Sequence, residues 1–228
     1  MSTELESLVL VRHGLSAGNV DPTLYARLPD HCIPLVSPEN DAACVEAGRI
    51  IAAYGWNPLQ VCVWHSPYLR CMQTARISVE RAFPGEALFW RESFLLREQE
   101  FGDWDGLSPE QVEARDPERW ARRKRLEDAW GKFYFRYPNG ESRADVVTRM
   151  ALFISKVRRS SFPHHLVFLH GVTQRALRMA WFNRPVEWFE HEPNPANASV
   201  LAIRRAGPDA PWFEEVPAAP TGSRDSWA

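Results

Sequence analysis

The chain has 228 residues, 45% of them hydrophobic, with 27 Lys and Arg against 29 Asp and Glu for a formal charge of −2. That length holds one substantial α/β domain with room for a small cap, and the near-even charge gives no reason to expect nucleic acid or an acidic membrane surface as a partner. Acidic residues precede a short apolar run at the start of the chain, the wrong flank for a secretory signal and too short for a membrane span, so a soluble cytoplasmic protein is expected.

The run Leu8-Val9-Leu10-Val11 suits a central strand buried on both faces. Residues 14–41, rich in Gly, Pro, Asn and Asp, read as a long loop of the functional kind, followed by a helix from Ala42 to about Tyr54. Val61 to Trp64 predicts a second strand. Ser66 as N-cap and Pro67 at the first helical position then predict a helix to about Phe83. Leu88 to Trp90 is a short third strand, Leu95 to Gly106 an acidic loop, and Ser108-Pro109-Glu110 a further helix entrance.

An excursion over about 107–140, with alternating charged and aromatic residues from 117 to 137, is expected to form a small helical cap near the pocket. The aromatics in the middle of the chain, among them Trp104, Trp120, Trp130, Phe133, Tyr134 and Phe135, read as core. Capping-box spacing at Ser142 to Asp145 opens a helix to about Arg159. Leu166 to Leu169 is a fourth buried strand, Thr173 to Phe182 a helix, Ser199 to Ile203 the last central strand, and Trp212-Phe213 an edge strand. Strands alternating with helices predict a three-layer α/β/α sandwich around a mostly parallel sheet. We expect a single domain over 1–215 and a mobile tail over 216–228. The four cysteines, Cys32, Cys44, Cys62 and Cys71, show no C-x-x-C spacing and read as reduced and structural.

Two apolar strands end alike, at Arg12-His13-Gly14 and at His170-Gly171. Ligand sites of open α/β sheets form beyond the carboxyl ends of the strands, which puts both histidines at one rim and brings Arg70 to it from the start of a helix. Arg12, His13, Arg70 and His170 together would cradle a phosphate dianion. Arginine supplies a permanently charged fork that matches phosphate oxygens. A neutral imidazole can attack phosphorus through one nitrogen when the other is tied to a carbonyl. The leaving oxygen needs a proton, and the loop from Leu96 to Gly106 offers several acids among which spacing does not choose.

Arg12-His13-Gly14 with Asn19, Ser66-Pro67-Tyr68-Leu69-Arg70-Cys71-Met72-Gln73-Thr74-Ala75, Glu98 to Gly102 with Trp104-Asp105-Gly106, Asn139-Gly140-Glu141-Ser142 and His170-Gly171 stand in one order along the chain. In this the sequence resembles the histidine phosphatase superfamily, also called phosphoglycerate-mutase-like. The resemblance implies a metal-independent phosphomonoester hydrolase with no cofactor, acting on a small phosphorylated substrate. It implies His13 as nucleophile, Arg12, Arg70 and His170 as phosphate ligands and Glu98 as general acid/base. Asn19, with Ser16 and Gly171 beside it, would touch phosphate or substrate. The family's usual L-T-x-x-G helix start is matched only loosely by Cys44 to Gly48, after an insertion at Val36 to Asp41. Mutase-type phosphoryl transfer and a non-catalytic phospholigand-binding module are the alternatives.

Elsewhere the plainer reading is taken. His31, His65, His164, His165 and His191 read as structural or exposed, and Arg122 to Arg125 as a solvated helix face. Asn197-Ala198-Ser199 reads as an accidental sequon.

Overall fold

The computed structural model describes residues 4–39 and 41–217, so most of the segment expected as a tail, 216–228, lies outside the described residues. The strands are β1 (Ser7–Arg12), β2 (Val61–His65), β3 (Phe89–Glu92), β4 (His164–Leu169), β5 (Val200–Arg204) and β6 (Phe213–Glu215). They form one sheet in the order β3-β2-β4-β1-β5-β6. The first four are parallel, β5 runs antiparallel to β1, and β6 antiparallel to β5.

The α-helices are α1 (Ala17–Val20), α2 (Ala42–Ala52), α3 (Leu69–Ala82), α4 (Pro109–Arg115), α5 (Pro117–Trp130), α6 (Arg143–Arg158), α7 (Gly171–Phe182) and α8 (Val186–His191). Side chains along a strand point alternately to the two faces, and both faces here are apolar. Leu8, Leu10, Val167 and Leu169 pack on Met150 and Phe153 of α6 and Ala176 and Leu177 of α7. Val9, Val11, Val63 and Phe168 pack on Ala47 and Ile51 of α2 and Ala75 and Val79 of α3. Burial of each such aliphatic side chain contributes roughly 1.5–3 kcal/mol, and the result is the expected three-layer sandwich. No helix among the described residues is long and apolar enough to cross a membrane.

The structure departs from the expected elements in four places. The segment Ser66-Pro67 does not open α3; the helix starts at Leu69 with Tyr68 at the cap, because the Ser66 hydroxyl instead meets His170 Nε2 at 2.9 Å and the Tyr68 N–H at 3.3 Å. Strand β4 begins at His164, since both histidines are buried and paired, His164 Nδ1 with Ser7 Oγ and His165 Nδ1 with Trp64 Nε1, each at 2.9 Å. The chain re-enters the sheet after α8 at the carboxyl rim, where Arg12 N–H donates to the Ser199 carbonyl and Ala198 N–H to the His13 carbonyl. From that end β5 can only run antiparallel to β1. Helix α8, six residues long after Pro185, is too short to show a periodic pattern.

Helices α4 and α5 lie over one end of the sandwich with a cluster of their own, Trp104, Val112 and Phe135, joined by Leu107, Trp120, Leu126 and Tyr137. Phe133 belongs to the main core, whereas Trp130 and Tyr134 are exposed. The acidic loop and the segment before α6 cross so closely that a Cβ on Gly102, whose φ is +58°, would lie 2.0 Å from the Pro138 carbonyl oxygen. Gly102→Ala is therefore expected to lower stability by about 2 kcal/mol or more, to be read from urea unfolding midpoints.

Candidate active site

Parallel pairing of β1 with β4 sets Arg12 opposite Leu169, so His13 and His170 leave the sheet side by side. Their rings stand edge to face with centroids 5.2 Å apart. His13 is 4% exposed, and its Nδ1 lies 2.8 Å from the Gly14 carbonyl oxygen. A carbonyl only accepts, so Nδ1 carries the hydrogen and Nε2 keeps its lone pair. Burial first, then the positive charge of Arg70 and Arg12, pushes the His13 pKa down to about 3. His170 is fully buried, and burial followed by Arg70 holds it well below the ordinary histidine range. Two neutral imidazoles thus sit beside two guanidinium groups.

Each guanidinium is held by one side and left open on another. Arg12 Nη1 donates to the Pro195 carbonyl. Arg70, 2% exposed, sends Nη1 to the Asp30 backbone and carboxylate oxygens, both at 2.7 Å, and Nη2 to the other carboxylate oxygen at 3.2 Å. Burial lowers the Arg70 pKa, but the Asp30 charge and hydrogen bonds outweigh it and the net shift is upward. In both residues Nε is buried and has no partner among the described residues. A buried unpaired donor costs about 1–3 kcal/mol, and two on residues that line one cavity with His13 define a place for an anion.

Glu98 reaches the same cavity from the acidic loop. Its carboxylate caps the start of α7, accepting from Val172 N and Thr173 N at 3.3 Å and from Thr173 Oγ1 at 3.1 Å. Behind it, Glu141 accepts from Arg149 Nε at 2.9 Å and Arg97 Nη2 at 2.7 Å, while Arg149 Nη1 and Nη2 donate to the Leu95 and Glu98 carbonyls at 2.6 and 3.1 Å. This buried network ties the acidic loop to the Asn139 to Ser142 turn and to α6.

The remaining expected residues are placed differently. Asn19 lines the cavity, but its Oδ1 is taken by Ser16 N–H and by Asn197 Nδ2, each at 3.2 Å, which leaves only its amide N–H groups to the cavity. Ser16 does not reach the cavity wall: it is fully buried, and its hydroxyl accepts from Asn19 N–H to cap α1. Gly171 is likewise internal, where a Cβ would come within 2.9 Å of Asn194 Oδ1.

Several residues at the site carried no functional signal in the sequence. Asp30 is hidden in a loop without periodicity, and its pairing with Arg70 spans forty positions. Asn197, read as an accidental sequon, donates to the His13 and Gly14 carbonyls at 3.1 Å and holds the turn after β1. Thr74, visible only as part of the resemblance, accepts from Gly14 N–H at 2.9 Å. Arg123, read as solvated, is half-buried at the cavity wall, whereas Arg122, Lys124 and Arg125 are exposed as expected.

Arg12, His13, Arg70 and Glu98 thus line one cavity at the carboxyl rim of the mixed sheet. A family model described as the histidine phosphatase superfamily, branch 1, matches residues 8–213. The chain belongs to this superfamily, in which catalysis through phosphohistidine is characteristic. It is 34% identical over 212 residues to a phosphoglycerate mutase-like protein of Arabidopsis thaliana, covering 86% of this chain and 64% of that protein's length. A broad-range acid phosphatase of Saccharomyces cerevisiae is 34% identical over 116 residues, 47% of this chain and 32% of that one. A mycobacterial glucosyl-3-phosphoglycerate phosphatase, solved with VO3, superposes with a TM-score of 0.66 at 25% identity over 92% of this chain and 98% of that one.

Two outcomes are expected from these contacts. Arg149→Met leaves buried Glu141 with Arg97 as its one remaining arginine partner and strips the Leu95 and Glu98 carbonyls of their donors, and should lower stability by about 3 kcal/mol, measurable by urea unfolding. His13, His165 (pushed down to about 4 by burial) and His170, and also His164, have native pKa values below that of an unfolded histidine. The unfolded state then binds more protons, so stability falls as pH drops from about 6.5 toward about 4, at up to about 1.4 kcal/mol per pH unit for each group that stays neutral in the native state. Net proton uptake on unfolding near pH 5, read by calorimetry in buffers of different ionisation enthalpy, is the corresponding observable.

Proposed function

We propose that the protein is a phosphomonoester hydrolase that works through a phosphohistidine at His13. The observation that carries this reading is the pairing of His13, neutral with Nε2 unprotonated, with two buried Nε donors on Arg12 and Arg70 that have no partner among the described residues. The phosphoryl oxygens take up those donors, and His13 Nε2 attacks phosphorus as the bond to the leaving oxygen breaks. Transition-state charge gathers on the equatorial oxygens, where the two guanidinium groups meet it, while His170, fully buried edge to face with His13, would reach the phosphate only from beneath that ring. Glu98 in its acid form gives its proton to the leaving alkoxide, then takes one from the water that attacks phosphorus and releases phosphate and neutral His13.

Asn19 contributes an amide N–H to phosphate or substrate, while Ser16 and Gly171 act by shaping the loop and the start of α7. Asp30 keeps Arg70 in position while leaving its Nε free. A cavity of about 640 Å³ leaves room for water beside the phosphoryl group, which favours hydrolysis over mutase-type return to a second hydroxyl. The four cysteines are unpaired, as a reducing compartment permits, which supports a cytoplasmic location for a single-domain protein.

Rapid-quench mixing with a phosphomonoester is expected to trap phosphate on His13, and His13→Ala should abolish both the adduct and turnover. Full turnover by His13→Ala would sink the reading. Glu98→Gln should cut kcat by about 10²–10⁴-fold with alkyl phosphates, and less with leaving groups that need no proton.

A further inference from the structure

The cavity that holds the phosphate cradle is far larger than the cradle. Its volume of about 640 Å³ falls in the range of pockets that enclose drug-sized ligands, and a three-carbon phosphate would leave most of it to water. Beyond the cradle, the cavity wall comes from the acidic loop, from α4 and α5, and from the segment before α6. It presents Phe101, Trp104, Trp120 and Tyr137.

Arg123 is set into that wall. Its guanidinium carbon lies 5.1 Å from the Trp120 ring centre, 5.5 Å from Tyr137 and 5.9 Å from Trp104. Its Nε is tied to Glu127 at 2.6 Å. The plane of the cation is therefore fixed, and its other N–H groups form no hydrogen bond among the described residues. Trp120 Nε1 on the neighbouring turn is a further buried donor with no partner among the described residues. A core that only holds the cap together would be closed over, yet Trp120, Phe101 and Tyr137 are only half-buried.

We propose that this wall is a subsite for a planar, π-rich alcohol half that bears hydrogen-bond acceptors. Under the hydrolase reading given above, on which this rests, the substrate is a bulky phosphomonoester of heteroaromatic type and not a three-carbon phosphate. The ring system stacks on the aromatic wall and on the fixed guanidinium plane, and its acceptors meet the free N–H groups of Arg123 while the phosphoryl group lies on His13. Stacking of a flat ring is sequence-tolerant in chemical terms, since any π face suffices, whereas the acceptors add direction.

The test uses flavin mononucleotide and adenosine 5′-monophosphate against glycerol 3-phosphate and 3-phosphoglycerate. All four lose a primary alkoxide, so intrinsic leaving ability is matched. Titration calorimetry on the full chain carrying His13→Ala measures binding without turnover, and kcat/KM on the wild type measures hydrolysis. The planar pair should bind at least about tenfold more tightly and be hydrolysed preferentially. Trp120→Ala, and Arg123→Lys as the milder change, should each reduce the planar-to-small ratio about tenfold.

Equal affinity for the two pairs, or tighter binding of the small pair, overturns the substrate class even if all four are hydrolysed. A planar preference that both variants leave intact overturns the assignment to this wall. Selective binding with no hydrolysis of any of the four keeps the subsite and defeats the hydrolase reading instead.

Discussion

The parallel register of β1 on β4 is the constraint from which the site follows. With Arg12 opposite Leu169, His13 N–H donates to the Leu169 carbonyl at 3.0 Å, and the next residue of β4's exit is His170. A slip of one residue would turn every side chain of the strand to the other face. Because both faces of β1 are packed against helices, neither slip nor rotation is open to it, and the two histidines are delivered to one rim by burial energy alone.

What happens at that rim is decided by where charge can be balanced in a buried place. Arg70 is almost wholly removed from water and is kept charged by Asp30. The imidazoles have no such partner and stay neutral, which is the form in which His13 Nε2 is a nucleophile. The carboxylate satisfies the end of the Arg70 fork and leaves Nε unpaired. Desolvation thus acts with opposite results on neighbouring groups: it keeps the two imidazoles neutral, whereas Arg70 stays charged beside Asp30.

Glu98 is governed by a different part of the fold. Its loop has no regular structure of its own, and its path is set by the Glu141 to Arg149 pair and by the contact between Gly102 and the Pro138 carbonyl. The same crossing carries the aromatic cap, so the acid and the far wall of the cavity are positioned together. Loops placed by a rigid scaffold in this way are where binding residues concentrate.

Much of this was legible in the chain itself. The buried strands declared themselves as unbroken apolar runs, the helix entrance at Ser108 and the capping box at Ser142 opened helices where expected, and the two strand-end histidines pointed to one rim. Local sequence determines such features because they depend on neighbours within a few residues. Which acid stands at the cavity, by contrast, came from the resemblance and not from spacing. Only the tertiary structure decided that Asp30 meets Arg70, that Ser16 turns inward, that Ser66 serves His170 in place of capping a helix, that β5 runs antiparallel, and that Arg123 faces the cavity while its basic neighbours face water. Each of those is a choice between equally allowed local states, and it is settled by partners many residues away, through the cost of leaving a buried polar group unpaired.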